Sequence, residues 1–224
     1  MTTPDPRARA RELSAEFSAA GDALGWFEAF YREAREGRTT VPWADLAPNT
    51  HLFEWHAQIG FDVRGKRCLT VGCGLGDDAE YLAHNGGRVV AFDISPTAVA
   101  WCRERFPSSS VEYVAADLLV PPPEWARDFD FVFEANTLQV LPADLRPSAL
   151  GNLADFLAPG GATLVVCRGR EASDPEGVMP WPLTRDEVQA GLAALELVSF
   201  AERYEGGDTP VRRLRFTFHR RVLT

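Results

Sequence analysis

Residues 71–76 read Val-Gly-Cys-Gly-Leu-Gly, directly after the apolar run Arg67–Val71, and no other feature constrains the fold as strongly. Glycine takes positive φ without steric cost and lets a backbone turn sharply at close quarters. An apolar strand that ends in such a loop and runs into a helical pattern (Ala79, Leu82, Ala83) opens a β-α unit. Asp77 and Asp78 stand where that helix starts, and carboxylates are favourable there.

The unit then repeats. A second strand is expected over residues 88–92, closing at Asp93. Ser95 follows as a helix N-cap with Pro96 at the first helical position, and Val99, Cys102 and Phe106 continue at helical spacing. A third strand covers 111–115 and ends near Asp117, and a fourth covers 129–133. A helix over about 143–157 buries Leu150, Leu153 and Leu157 and stops at Pro159-Gly160-Gly161, and 162–167 forms a fifth strand. Repeated β-α units imply a parallel sheet with helices on both faces.

The last third departs from that pattern. Thr184-Arg185-Asp186-Glu187 is a capping box opening a helix. Strand-like residues 195–204, a turn at Gly206-Gly207-Asp208 and the alternating stretch Val211–His219 must pair antiparallel, because so short a turn permits nothing else. The expectation is a doubly wound, Rossmann-like α/β fold with a seven-stranded sheet, mostly parallel, with a C-terminal antiparallel hairpin.

Residues 1–24 read as a flexible or helical lead-in and 25–224 as one domain. Within it, 25–64 form an N-terminal helical cap and 65–224 the sheet core. In the cap, Trp26 and Phe30 share a helical face, Val41-Pro42-Trp43 is irregular, and a short helix spans about 50–59. With 224 residues there is room for one substantial core rather than two. No run of ~20 apolar residues marks a membrane span. The first residues lack the basic flank and apolar stretch of a secretion signal, so a cytoplasmic location is expected. Cys68, Cys73, Cys102 and Cys167 are scattered without a Cys-x-x-Cys pair, which suggests buried free thiols and no metal site. A net charge of −9 disfavours approach to phosphate backbones, so a small-molecule partner is expected rather than nucleic acid or membrane. A monomer or weak dimer is the expected state.

From Leu69 to Ala83 the chain resembles the class I S-adenosylmethionine-dependent methyltransferases. Gly72, Gly74 and Gly76 follow the first strand, Asp93 lies 17 positions beyond Gly76 at the end of the second, and Ala116-Asp117 follows the third. Phe129-Asp130-Phe131-Val132 forms the fourth. The match covers roughly residues 65–220. It implies S-adenosylmethionine as cofactor, S-adenosylhomocysteine as product, and cofactor contacts at Trp26, Trp43, Gly72, Cys73, Gly74, Gly76, Asp93, Ile94, Ala116, Asp117, Leu118 and Glu134. More narrowly, Trp26–Phe30, Val41-Pro42-Trp43-Ala44-Asp45, Pro48–Leu52 and the stretch from Glu134 to Leu141-Pro142 resemble the thiopurine and thiol/halide branch. Two positions depart: Thr70 replaces the acid many relatives carry before the first glycine, and Ala135 stands where bacterial thiopurine enzymes have arginine. The second argues against a thiopurine acceptor.

These residue types suit the chemistry. A carboxylate at Asp93 can accept from two ribose hydroxyls, one at Asp117 from an adenine amino group, and aromatic faces at Trp26 and Trp43 favour a sulfonium. Asp77 and Asp78 would repel a diphosphate while tolerating, and helping to bind, a cationic cofactor. Phe30, Asn136, Gln139 and Trp181 are candidate acceptor-side residues, Trp181 on a loop over 169–183 at the carboxyl ends of the strands. None of His51, His56, His84 and His219 stands out as a general base, no acid cluster suggests a metal, and no catalytic residue is assigned. Two other readings remain. A nicotinamide-dependent oxidoreductase would space its glycines G-x-G-x-x-G. A non-catalytic relative that binds the cofactor differs only in turnover.

Overall fold

The computed structural model describes residues 5–222. They hold β1 (Arg67–Val71), β2 (Arg88–Asp93), β3 (Glu112–Ala115), β4 (Phe129–Ala135), β5 (Leu157–Arg168), β6 (Glu196–Glu205) and β7 (Val211–His219). These strands form one sheet in the order β3-β2-β1-β4-β5-β7-β6. The first five pair in parallel, and β7 pairs antiparallel with both β5 and β6. The doubly wound, mostly parallel sheet with an antiparallel C-terminal hairpin is therefore the architecture. β7 begins and ends where the alternation does, with Leu214, Phe216 and Phe218 buried on one face.

Helices cover both faces. On one, α6 (Arg146–Phe156) and α7 (Arg185–Gly191) pack over Leu69, Val132, Val165, Leu214 and Phe216. On the other, α4 (Asp77–His84), α5 (Pro96–Arg105) and Trp55 of α3 (Thr50–Ile59) cover Cys68, Ala91, Phe131 and Val166. Local chemistry starts several of these helices. Asn49, Ser95 and Thr184 cap α3, α5 and α7, and Thr184 with Glu187 completes the capping box. All four cysteines are free and buried. None of the described helices is long and apolar enough to cross a membrane.

One boundary needs correction. Pro159-Gly160-Gly161 does not separate α6 from a fifth strand; it lies inside β5, which starts at Leu157. The chain is kept in the sheet by a register shift opposite Phe129–Phe131, and Gly160 donates to the Arg220 carbonyl at 2.9 Å. Gly161 lies so close to the Phe129 carbonyl that a Cβ would stand 2.9 Å from it. The helix before it is shorter than the periodicity suggested, starting at Arg146 because Pro142–Leu145 forms a separate turn.

Toward the N-terminus, α1 (Pro6–Ala19) packs against α2 (Trp26–Arg35), burying Ala10 and Leu13 beside Trp26, Phe30 and Met179. The Arg9 guanidinium clasps Glu33 at 2.7 Å and holds that carboxyl below its usual range.

Candidate functional site

Strand order reverses between β1 and β4, and in open α/β sheets the crevice outside the carboxyl ends at such a point is where ligands bind. A pocket of about 860 Å³, counted out to its open mouth, occupies that position. Its floor is Val71, Gly72, Phe92 and Asp93, one wall is Ile94 and Ala116–Leu119, and its roof is the helical cap through Trp26, Phe27, Tyr31 and Trp43.

The glycine loop takes positive φ at Gly72, Gly74 and Gly76. The space a side chain would need is filled by the protein itself. A Cβ on Gly72 would meet Thr137 Oγ1 at 2.2 Å, and one on Gly76 would meet Tyr113 Oη at 2.6 Å. The alternate glycines thus serve the loop's packing as well as access to the pocket. Only Gly72 lines the pocket; Cys73, Gly74 and Gly76 lie behind it.

Asp93 is the chemical centre of the floor. It is 6% exposed, and its oxygens accept from the backbone N–H of Gly74 at 3.0 Å and of Ser95 at 2.9 Å. Burial pushes its pKa up to about 6, against the pull of those donors. Each carboxylate oxygen keeps a lone pair, so the group is oriented by the loop it helps to hold. Asp117 Oδ1 accepts from the Leu119 N–H at 2.8 Å, fixing the bend that carries Ala116 and Leu118 along the wall.

The roof is aromatic. Trp43 lies 4.8 Å from Phe30 and crosses Trp26 edge-on at 6.2 Å, and its Nε1 donates to Tyr31 Oη at 3.0 Å. Trp26 Nε1 is buried without a hydrogen-bond partner among the described residues. An unpaired buried donor costs free energy, so an indole N–H left free at a pocket wall is a ready contact for a ligand acceptor.

Asn136 lines the pocket with φ +69, in the left-handed region that asparagine enters more readily than other side-chain-bearing residues. Its Oδ1 accepts from Gln139 Nε2 at 3.1 Å and Arg213 Nη1 at 2.8 Å.

Several residues expected at the site sit elsewhere. Phe30 is wholly buried in the α1–α2 core. Gln139 braces the rim by accepting the Arg168 N–H through its side chain and the Trp181 N–H through its carbonyl. Trp181 itself packs against the α1–α2 cluster, leaving Pro180 as the loop's contribution to the lining. Glu134 is wholly buried in the sheet beside Val71 and does not line the pocket. Oε1 accepts the Thr137 and Leu138 N–H groups, Oε2 has no partner among the described residues, and burial pushes its pKa up to about 7. Asp77 and Asp78 are also committed inward. Asp77 pairs with Arg105 at 2.9 Å, and Asp78 accepts the Asn49 N–H at 2.6 Å. Neither carboxylate lines the pocket, so the expected help in holding a cation is not theirs to give.

Arg7, Tyr31 and Thr137 line the pocket without having stood out in the sequence. Tyr31 follows the Trp26–Phe30 face by one residue, and Thr137 follows Asn136. Arg7 lies in the lead-in, where helical periodicity is weak. Ala135, the departure from the bacterial thiopurine pattern, is itself a lining residue.

Residues 68–161 match the family model described as a methyltransferase domain. Among curated proteins, "Hemagglutinin 1" of Eikenella corrodens is 31% identical over 144 residues, 61% of this chain and 46% of that one. "Probable thiol methyltransferase 2" of Arabidopsis thaliana is 26% identical over 160 residues, 70% of this chain and 66% of that one. The matched stretches span less than two thirds of either relative. A Burkholderia thailandensis 1,6-didemethyltoxoflavin-N1-methyltransferase, solved with its acceptor and S-adenosylhomocysteine, superposes with a TM-score of 0.67 at 19% identity, covering 99% of this chain and 92% of that one. Residues 68–161 are thus similar to the methyltransferase domain family, and the chain shares the Rossmann-like α/β fold of that solved methyltransferase.

Proposed function

We propose that the chain is a methyltransferase that binds S-adenosylmethionine in the pocket above β1 and β2 and passes its methyl group in line to a small molecule. The observation that carries this reading is Asp93: a buried carboxylate at the end of β2, held by the glycine loop's own N–H and facing an aromatic-roofed pocket. The residues present fit the cofactor. Asp93 would hold the ribose, Ile94 and Ala116–Leu118 the adenine, and Gly72 with the free Trp26 N–H the amino-acid tail. When bound, the cofactor supplies an electrophilic methyl on positive sulfur, so the protein's task is to align the acceptor and exclude water. Trp26, Tyr31, Trp43 and Pro180 provide that dry enclosure.

A soft nucleophile such as a thiol is the proposed acceptor type. It reacts as an anion without a general base, and no histidine lines the pocket. The likeness to a thiol methyltransferase at 26% identity supports the same type.

Calorimetric titration with S-adenosylhomocysteine and with NADH tests the cofactor. Saturable one-to-one binding of the former and none of the latter is expected; the reverse would sink the reading. A labelled-methyl screen over thiols, halides and small phenols then identifies the acceptor.

A further inference from the structure

Three arginines stand side by side across the hairpin edge of the sheet. Arg168 of β5 is the register partner of Arg213 of β7, and Arg213 is the partner of Arg203 of β6. Like charges directly opposite on neighbouring strands destabilise a sheet. Compensation among the described residues is incomplete. Arg203, Arg213 and Arg215 share Glu54 and Glu205 between them, and Glu205 also meets His51 Nε2 at 2.9 Å.

Arg168 has less still. Among the described residues its Nε is buried without a hydrogen-bond partner, and no carboxylate offsets its charge. Burial, and after it Arg213, Arg7 and Arg11, press its pKa below the usual guanidinium value. A half-buried cation facing other cations in a chain of net charge −9 is an arrangement that folding alone would not favour.

The ladder reaches the pocket through Asn136, although none of its three arginines is itself a lining residue. Arg213 grips Asn136 at 2.8 Å, and Asn136 and Arg7 both line the pocket wall. Asn136 takes a positive φ at the same spot. A guanidinium presents forked donors that match a carboxylate or similar oxyanion.

We propose that the methyl acceptor carries an anionic group, which docks on Arg168 beside Arg213 and Arg7 and so sets the acceptor's orientation at the pocket rim. This rests on the methyltransferase reading and names the acceptor class for it.

The test uses protein saturated with S-adenosylhomocysteine and two matched probes, 3-mercaptobenzoate and 3-mercaptobenzamide, titrated by intrinsic tryptophan fluorescence. The acid is expected to bind at least about tenfold more tightly than the amide. Arg168→Gln should abolish that preference, while Arg168→Lys retains part of it. Arg7→Gln, at an exposed position of α1, should reduce it by about threefold even if Arg168 variants fold poorly. Equal binding of acid and amide, no saturable binding of the acid up to about 10 mM, or a preference that survives both Arg168→Gln and Arg7→Gln overturns the proposal. Affinity for S-adenosylhomocysteine is measured on every variant. If it persists while the acid preference is missing, only the anionic acceptor fails; if the wild-type protein lacks it, the methyltransferase reading fails first.

Discussion

Asp93 accepts the Gly74 backbone N–H at 3.0 Å, tying the last residue of β2 to the glycine loop that leaves β1. The two elements that define the pocket floor are thereby one unit. A loop of alternating glycines has little of its own to hold it, and here a neighbouring strand's carboxylate does so. The same contact orients the carboxylate, while burial, against the pull of that donor, lifts its pKa to about 6.

Asp93→Ala should weaken S-adenosylhomocysteine binding at least tenfold, about 1.4 kcal/mol, since hydrogen bonds to a charged acceptor are lost. Because burial lifts the Asp93 pKa to about 6, wild-type affinity should also fall as pH drops through that value and the acceptor gains a proton. Calorimetry from pH 5 to 8 checks both, and unchanged affinity in the variant would place the ribose elsewhere.

Asp77→Asn should leave S-adenosylhomocysteine affinity within about twofold, because the carboxylate is committed to Arg105 at 2.9 Å. Stability should fall by about 1 kcal/mol, the scale for a hydrogen-bonded, partly buried pair. A large loss of affinity with unchanged stability would restore the cofactor role that its position at the helix start suggested.

Gly72→Ala brings a Cβ to 2.2 Å from Thr137 Oγ1 at a backbone φ of 58°. The loss of stability should be about 2 kcal/mol or more, combining the clash with left-handed strain. In a Thr137→Ala background the same substitution should cost less, since only the strain remains. Denaturant melts of the four proteins measure the coupling.

Glu134 titrates against folding. Its folded pKa is raised by burial from 4.5 to about 7, so the folded state holds the proton more tightly than the unfolded chain. Its contribution is therefore fully present below pH 4.5 and is lost as pH rises through 7. Glu134→Gln should flatten the stability–pH curve between those values by up to about 1.4 kcal/mol per pH unit. An unchanged slope would show that Oε2 has found a partner.

Much of the fold could be read from the chain. The strands at 67–71 and 211–219 are bounded where their periodicity ends, because glycines and turn residues stop them locally. The start of β5 is not legible locally because Pro159-Gly160-Gly161 is a local breaker, and only pairing with Phe129–Phe131 and the Arg220 carbonyl keeps it in the sheet. Of the expected site, Trp26, Trp43, Gly72, Asp93, Ile94, Ala116, Asp117, Leu118 and Asn136 line one pocket. Phe30, Gln139, Trp181 and Glu134 carry the same residue chemistry but are turned inward or committed to bracing.

The amino-acid sequence by itself determined the β-α alternation, the glycine loop and the acid at the end of β2, since these rest on local periodicity and on fixed chain spacing. Tertiary structure alone decided which carboxylates line the pocket. Asp77, Asp78 and Glu134 look as available as Asp93 along the chain, yet Arg105, the Asn49 N–H and the turn after β4 claim them. Long-range pairing of β5 with the hairpin likewise set Arg168 beside Arg213 and Arg203, which the hairpin itself aligns. Hydrogen bonds and ion pairs between distant elements leave no periodic trace in a sequence, so what remains unpaired at the site becomes visible only once the sheet has closed.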